Sequence, residues 1–458
     1  MSSGMLREPQ RPHLSRTLRL RNYNRVGVLA AVLGVVAHHG GNVGDIRTVH
    51  QSRSAMIRDV DLLVDSLDDL ELITAELDRM PDTTVLEVRD EVLSAHVGGK
   101  IRVISQLPID TLADLGRVYT PGVGEVSRRI YEDPGLADHY TIIPNTVGIV
   151  SDGSAVLGLG NLGPLAAMPV LEGKAALLAH LVGVNAFPIT LRHQDDDLIV
   201  NSVSEIASSF GCIQLEDIAS PRCFSIEERL QESVDVAVFH DDQHGTAAVV
   251  LAALVNACTL TGLSLSGLRI GQVGLGAAGL AIAQTMMRYT GRPVLGADKT
   301  AAAVERLRAA GGVSSDLEEI MGACDVVIAT TGEPGLIGSE MIRQGQVIFA
   351  ISNPRPEIGA QEAIAAGALI AENGAQINNL LCYPGVCRGF LDAGASRSDP
   401  ACFLAASDAL VAMTPTGGLL PNPLDREVHA AVARGVARVC IDKGIATREV
   451  PPEYFLEE

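Results

Sequence analysis

Residues 268–273 form a short apolar run that leads directly into Gly274-Leu275-Gly276-Ala277-Ala278-Gly279, followed by a helical pattern over residues 280–289. A G-x-G-x-x-G turn between strand and helix is a dinucleotide-binding fingerprint. Its first glycine permits the tight turn, its second lets the backbone approach a pyrophosphate, and its third lets helix and strand pack closely. The helix N-terminus adds partial positive charge for the phosphates. A second strand, residues 294–298, ends in Asp298 at the distance where an acid meets the adenosine ribose. Asp298 would repel a 2′-phosphate and so favours NAD, whereas Lys299 beside it could meet that phosphate and keeps NADP open. Residues 324–332 and 346–354 are further buried strands ending in small or polar residues, which predicts a doubly wound parallel sheet. In such sheets ligands bind at the carboxyl ends of strands, where Asn353 lies.

The chain has 458 residues, enough for two or three domains. Hydrophobic residues make up 47% but aromatics only 3%, with no Trp, so the core is aliphatic. A net charge of −20, from 35 basic and 55 acidic residues, argues against nucleic acid as a partner. It leaves small anionic substrates open, because local Lys, Arg or metal charge decides their binding. The 8 Cys lack the paired spacing of a zinc site. Free thiols in a reducing cytosol are expected, hence a cytoplasmic protein. Residues 1–21 contain Arg but no apolar h-region, and read as a frayed tail. Residues 246–260 are short for a membrane span and interrupted by Asn256; they read as a buried helix, with no membrane partner.

Residues 15–93 alternate strand and helix patterns in the order β-α-β-β-α-β, which describes a ferredoxin-like sandwich. Leu67, Leu70, Ile73 and Leu77 mark one helix face. Asn24-Arg25-Val26-Gly27-Val28-Leu29 and His38-His39-Gly40-Gly41-Asn42 resemble the ACT family of amino-acid-sensing modules. That resemblance implies an amino-acid effector bound near Gly27 and Asn42 between paired modules; a plain dimerisation domain is the alternative. Gly98-Gly99 marks a linker.

Between that linker and the fingerprint lies most of the polar chemistry. Val238-Phe239-His240-Asp241-Asp242-Gln243-His244-Gly245-Thr246 sets two adjacent carboxylates between an apolar strand and a helix of small residues. Neighbours in an extended segment point opposite ways, so the two aspartates are expected to do different jobs. With Glu216-Asp217 they offer a hard-oxygen site suited to Mg²⁺ or Mn²⁺. His240 and His244 are read as structural. Lys174 is expected at the start of an apolar helix, where a buried cationic neighbour would make it a base. Tyr119 precedes a rigid turn.

Together these pieces resemble the malic enzyme family. The matching motifs are Tyr119-Thr120-Pro121-Gly122-Val123, Ser151-Asp152-Gly153, Leu157-Gly158-Leu159-Gly160-Asn161-Leu162-Gly163, Glu172-Gly173-Lys174, Leu215-Glu216-Asp217-Ile218, Phe239 to Thr246, Ser352-Asn353-Pro354 and Gln376-Ile377-Asn378-Asn379. They occur in the family's order and cover nearly everything after residue 100. The resemblance implies oxidative decarboxylation of L-malate to pyruvate and CO2 with NAD(P)⁺ and Mg²⁺ or Mn²⁺. It makes Glu216, Asp217 and Asp242 the metal ligands, Lys174 the general base and Tyr119 the general acid. Asp241 would sit beside Lys174 and tune it. Asn353 and Asn379 would contact substrate or nicotinamide, and Gly274, Gly276, Ala277, Ala278, Gly279 and Asp298 the dinucleotide.

The expected architecture is therefore α/β, in three domains. An ACT-like α+β module spans 15–93, a malic-enzyme N-terminal domain carrying substrate and metal spans 100–244, and a Rossmann-type NAD-binding domain with C-terminal helices spans 245–458. A homodimer or higher homo-oligomer is expected. The chain departs from the family after Asp298 and around Ala371-Glu372-Asn373-Gly374-Ala375-Gln376, where it is shorter, and this bears on cofactor choice. Two rivals remain: an amino-acid sensor on a retained enzyme fold, and a decarboxylase converting malate to lactate.

Overall fold

The computed structural model describes residues 14–456. Residues 1–13 of the expected tail, and 457–458 at the end of the expected third domain, lie outside the described residues. The chain forms two compact units, Met1–Arg102 and Val103–Glu458.

The first unit runs β1 (Leu14–Tyr23), α1 (Val28–His38), β2 (Asn42–Gln51), β3 (Ala55–Val64), α2 (Leu67–Arg79), β4 (Thr83–Asp90) and a short α3 (Glu91–His96). Its sheet has the order β2-β3-β1-β4 and is antiparallel throughout, a ferredoxin-like topology. Val28, Val32 and Val36 of α1 and Leu70, Ile73 and Leu77 of α2 are the buried faces. They meet Leu18, Leu20, Val60 and Leu62 in one core. Leu67, the first residue of α2, stays exposed.

An ion-pair hub ties this sheet together. Asp59 is 5% exposed and accepts from Arg19 Nε at 2.8 Å, Arg19 Nη2 at 2.9 Å and Arg89 Nη2 at 2.7 Å. Arg19, then Arg89, hold its carboxyl down at about 2. A depressed folded pKa contributes stability that is present above the ordinary carboxylate range and lost as pH falls through about 2. Asp59→Asn is therefore expected to destabilise this unit by about 2 kcal/mol at pH 7. Hydrogen exchange of the β1 and β3 amides reads it, and the deficit should shrink as pH drops toward 3; unchanged protection would refute the hub's role.

The second unit begins with α4 (Leu112–Val118), α5 (Gly122–Glu132) and α6 (Ala137–Tyr140). Then come β5 (Thr146–Ser151), α7 (Pro164–Val182), β6 (Asn185–Thr190), α8 (Asp196–Ile206), β7 (Cys212–Leu215), α9 (Arg222–Ser233) and β8 (Ala237–His240). These strands make a parallel sheet, β6-β5-β7-β8. Helix α10 (Asp241–Thr261) leads to β9 (Ile270–Val273), α11 (Ala277–Thr290), β10 (Leu295–Ala297), α12 (Ala301–Ala309), β11 (Val313–Ser314), α13 (Leu317–Ala323), β12 (Val326–Ala329), β13 (Val347–Ala350), α14 (Ala360–Ala366) and β14 (Ile370–Asn373). The second sheet has the order β11-β10-β9-β12-β13-β14, all parallel. Counted within that sheet this is 3-2-1-4-5-6, the Rossmann order, and its chain reversal lies between β9 and β12. Three helices close the unit: α15 (Tyr383–Ala393), α16 (Pro400–Ala412) and α17 (Arg426–Asp442).

Helices α7 and α10 are long and apolar enough to cross a membrane by length and composition. Most of α10 is buried against α11 and α16, so residues 246–260 belong to a core helix.

Two local expectations are corrected. Lys174 lies in the middle of α7, not at its start, because the helix begins with Pro164 at its first position and runs through Pro169. Asp241 and Asp242 are not in extended backbone; they open α10. A helix turns about 100° per residue, so the two carboxylates still diverge.

Candidate active site

The parallel register of the smaller sheet builds the site. Leu215 at the end of β7 pairs with His240 at the end of β8, so Glu216-Asp217 and Asp241-Asp242 emerge side by side at the carboxyl ends. Glu216, Asp217 and Asp242 each present an oxygen within 4.8 Å of the others'. Asp217 reaches this position with φ of 54°, the left-handed region that non-glycine residues seldom occupy. Its backbone N–H donates to Asp242 Oδ2 at 2.9 Å, which fixes one carboxylate by the turn that carries another. Strain of this kind concentrates where a site needs an exact conformation.

Lys174 points from α7 into the same cluster. Its Nζ donates to Asp241 Oδ2 at 2.5 Å and stands 3.0 Å from Glu216 Oε1. It also lies 4.3 Å from the ring centroid of buried Tyr383, a cation–π contact. Burial drives the Lys174 pKa down, but Asp241 and then Glu216 drive it up, and the carboxylates win. Burial pushes the Asp241 carboxyl up to about 6 against the pull of Lys174. Glu216 is pushed well above the usual carboxylate range, by burial and by Asp242 and Asp241 beyond what Lys174 offsets. Three crowded carboxylates facing one ammonium fit a hard divalent cation: its charge would balance them, and its preference for oxygen suits Mg²⁺ or Mn²⁺.

Gly245 explains the spacing of the aspartate motif. A Cβ there would stand 2.0 Å from Asp241 Oδ1 and 3.4 Å from Asn379 Cβ, so only glycine leaves Asp241 its place. His244 is turned away from the carboxylate cluster. It bonds Glu227 Oε1 at 2.7 Å and stacks on Phe403 with centroids 4.6 Å apart. His240 is fully buried and its pKa is lowered by that burial.

A cavity of about 560 Å³ opens over the cluster, within the size range of small-ligand sites. Lys174, Glu216, Asp217, Asp242, Asn353 and Asn379 all line it, and so do Ala277 and Ala278 of the glycine-rich turn. Gly158 and Gly160 close one wall. A Cβ on Gly158 would sit 2.4 Å from the Asn353 carbonyl oxygen, so the glycine loop is needed for that close approach.

A second cavity of about 520 Å³ is lined by Gly274, Gly276 and Asp298 and shares Ser220, Thr330 and Thr331 with the first. A Cβ on Gly279 would meet the Gly274 carbonyl oxygen at 1.9 Å, which is why the fingerprint's third glycine has no substitute. Asp298 accepts from Leu275 N and Thr300 N, both at 2.7 Å, and is thereby fixed facing the turn. Lys299 is paired with Glu333, which draws its charge away from any phosphate. The glycine cradle and the oriented acid fit a dinucleotide.

Of the expected catalytic residues, Lys174 lines the cavity, Asp241 is fully buried behind it against Lys174, and Tyr119 lies away from it. Tyr119 caps the end of α4 and is 66% exposed. Tyr383, by contrast, carried no motif signal at its position, yet its ring forms a wall for Lys174.

Residues 98–198 match the family described as the malic enzyme N-terminal domain. The chain is 45% identical over 431 residues to the NAD-dependent malic enzyme 1 of Bacillus subtilis, covering 94% of this chain and 98% of that one. It is 38% identical over 402 residues to the bifunctional malic/malolactic enzyme of the same organism, covering 81% and 98%. The crystal structure of a malic enzyme from Pyrococcus horikoshii superposes with a TM-score of 0.75 at 36% identity, covering 80% of this chain and 94% of that one. Sequence motifs, paired sheets and near full-length relatives agree, and the chain belongs to the malic enzyme family.

Proposed function

We propose that this chain oxidatively decarboxylates L-malate to pyruvate and CO2 while reducing NAD⁺, with NADP⁺ as the less favoured cofactor. The observation that carries this reading is the buried Lys174–Asp241 pair set against three metal-competent carboxylates, in a cavity that meets the dinucleotide turn. Residues 100–244 would hold substrate and metal, residues 245–458 the dinucleotide, and residues 15–93 would act as an ACT-like regulatory module responding to an amino acid.

Glu216, Asp217 and Asp242 would hold Mg²⁺ or Mn²⁺, which supplies Lewis-acid polarisation of the substrate oxygens. Gly274, Gly276 and Gly279 would admit the pyrophosphate, and Asp298 would bind the ribose of the hydride acceptor. Lys174 takes the proton from the C2 hydroxyl as hydride leaves C2. To do so it must first be neutral; a cation balancing Glu216 and Asp242 would offset part of what holds its pKa up, leaving Asp241 as the main support against the downward pull of burial. Asn353 and Asn379 orient the substrate carboxylates as CO2 departs. Tyr119 returns a proton to C3.

Because Tyr119 lies away from the cavity on a face of uncovered apolar residues, we assign it to the site of a second copy. Helices α4 and α5 bury no residue, and Leu112, Tyr131 and Val123 are exposed at 86%, 88% and 40%. An apolar face of that kind fits a homodimer interface.

Purified protein with malate, Mn²⁺ and NAD⁺ should produce pyruvate and NADH, and more slowly NADPH from NADP⁺. Absence of turnover with both cofactors would overturn the proposal. Asp242→Asn should weaken Mn²⁺ binding by about 10-fold or more, because a charged oxygen ligand becomes neutral. Paramagnetic titration of Mn²⁺ measures this without turnover. A second reading is favoured by the likeness to the malic/malolactic relative: release of lactate in place of pyruvate. Assaying both products separates the two.

A further inference from the structure

One buried carboxylate near both cavities has no part in the chemistry above. Glu357 lies in the loop after β13 and is 0% exposed. Its Oε1 accepts three hydrogen bonds: from Thr331 N at 2.6 Å, from Thr331 Oγ1 at 2.7 Å and from Ser352 Oγ at 2.6 Å. Its Oε2 is buried with no hydrogen-bond partner. Sinking a carboxylate this far costs desolvation, and leaving one oxygen unmatched adds to the cost. A neutral acceptor would satisfy the same donors more cheaply, so the charge calls for a reason beyond folding.

The reason lies in what the three donors hold. Thr331 follows β12 and Ser352 follows β13, so Glu357 clamps together the carboxyl ends of two neighbouring strands of the Rossmann sheet. The clamp extends one step further on each side. Ser352 Oγ accepts from Gly332 N at 2.9 Å, and Thr331 Oγ1 accepts from Glu333 N at 3.1 Å. The whole 331–333 loop is thus hung from one carboxylate. Thr331, Gly332 and Ser352 line the catalytic cavity, while Thr331 and Glu333 line the dinucleotide cavity. Glu333 in turn pairs with Lys299 beside the ribose-binding acid.

We propose that Glu357 is a positioning residue for the cofactor: it fixes the 331–333 loop where the dinucleotide passes from its own cavity to the metal-bearing one. It touches neither substrate nor metal ligands and acts only through Thr331, Gly332 and Ser352. The inference rests on the reading of the glycine-lined cavity as the NAD(H) site. It adds a residue that no fingerprint identifies.

The test is direct binding of NADH to the full-length protein, followed by the enhancement of NADH's own fluorescence; the chain has no Trp to interfere. Glu357→Ala should raise the NADH Kd about tenfold or more, the scale of a lost charge-assisted hydrogen bond. The KM for NAD⁺ should rise with it, whereas the KM for malate and the Mn²⁺ affinity stay within about twofold. Glu357→Gln keeps an acceptor oxygen but loses the charge, so a smaller rise of about threefold is expected, a partial rescue. Should the alanine variant fail to fold, the glutamine variant carries the test by the same NADH titration. Unchanged NADH binding in the variants overturns the inference. So does a loss of NADH, malate and Mn²⁺ binding in equal proportion, which would mark Glu357 as merely structural. Wild-type protein that binds no dinucleotide at all would instead sink the functional reading itself.

Discussion

Lys174→Arg is expected to cut turnover by orders of magnitude while leaving Mn²⁺ binding in place. Arginine keeps the positive charge that Asp241 and Glu216 require, so the buried ion pairs survive. It does not deprotonate in the accessible pH range, so it cannot serve as a base. The expected fall in kcat is about 10²–10⁴-fold, the usual contribution of general acid–base catalysis. Lys174→Ala is a poorer probe, because it strands Asp241 as an uncompensated buried charge, which costs about 3–5 kcal/mol. If Lys174→Arg retained near-normal kcat, Lys174 would be an electrostatic anchor and the base would lie elsewhere.

Asp241→Asn sharpens the same point. The base must be neutral, so the rate rises with pH as Lys174 loses its proton. Asp241 holds that pKa up. Removing its charge lowers the pKa, and the acid limb of the kcat/KM profile should move to lower pH. Mn²⁺ affinity should change less than in Asp242→Asn, because Asp241 faces Lys174 and not the carboxylate cluster.

That the side chains of Asp241 and Asp242 point apart is legible in the motif, although strand alternation is not the cause. Alternation along a strand suggested opposite faces; the helix that starts at Asp241 separates them by rotation instead. The Rossmann sheet was equally legible, because glycine spacing and buried strand runs are local signals. So was the first unit, whose apolar periodicities mark every strand and both larger helices. Tyr383 and Glu357 were not legible. Each acts through contacts far apart in sequence, Tyr383 with Lys174 and Glu357 with Thr331. A lone Tyr or Glu carries no spacing from which such a contact can be inferred. Gly245 is intermediate: the motif displayed it, but only the 2.0 Å approach of Asp241 to its missing Cβ says why it is there.

Mixing two inactive variants should regenerate activity. Tyr119→Phe removes the phenolic proton that returns to C3, and Lys174→Arg removes the base. Suppose each site takes Lys174 from one chain and Tyr119 from its partner. A heterodimer of the two variants then has one site with both residues replaced and one site with both intact. Random exchange of subunits makes half the molecules heterodimers, so activity should recover to about a quarter of wild type. If Tyr119 instead served its own chain's site, every site in the mixture would lack one group, and activity would stay at the level of the separate variants. The exposed position of Tyr119, on helices that bury none of their own side chains, favours the first outcome. The recovery should need time for subunit exchange and should fade on dilution below the dimer's dissociation constant, because the competent site exists only while two chains are joined.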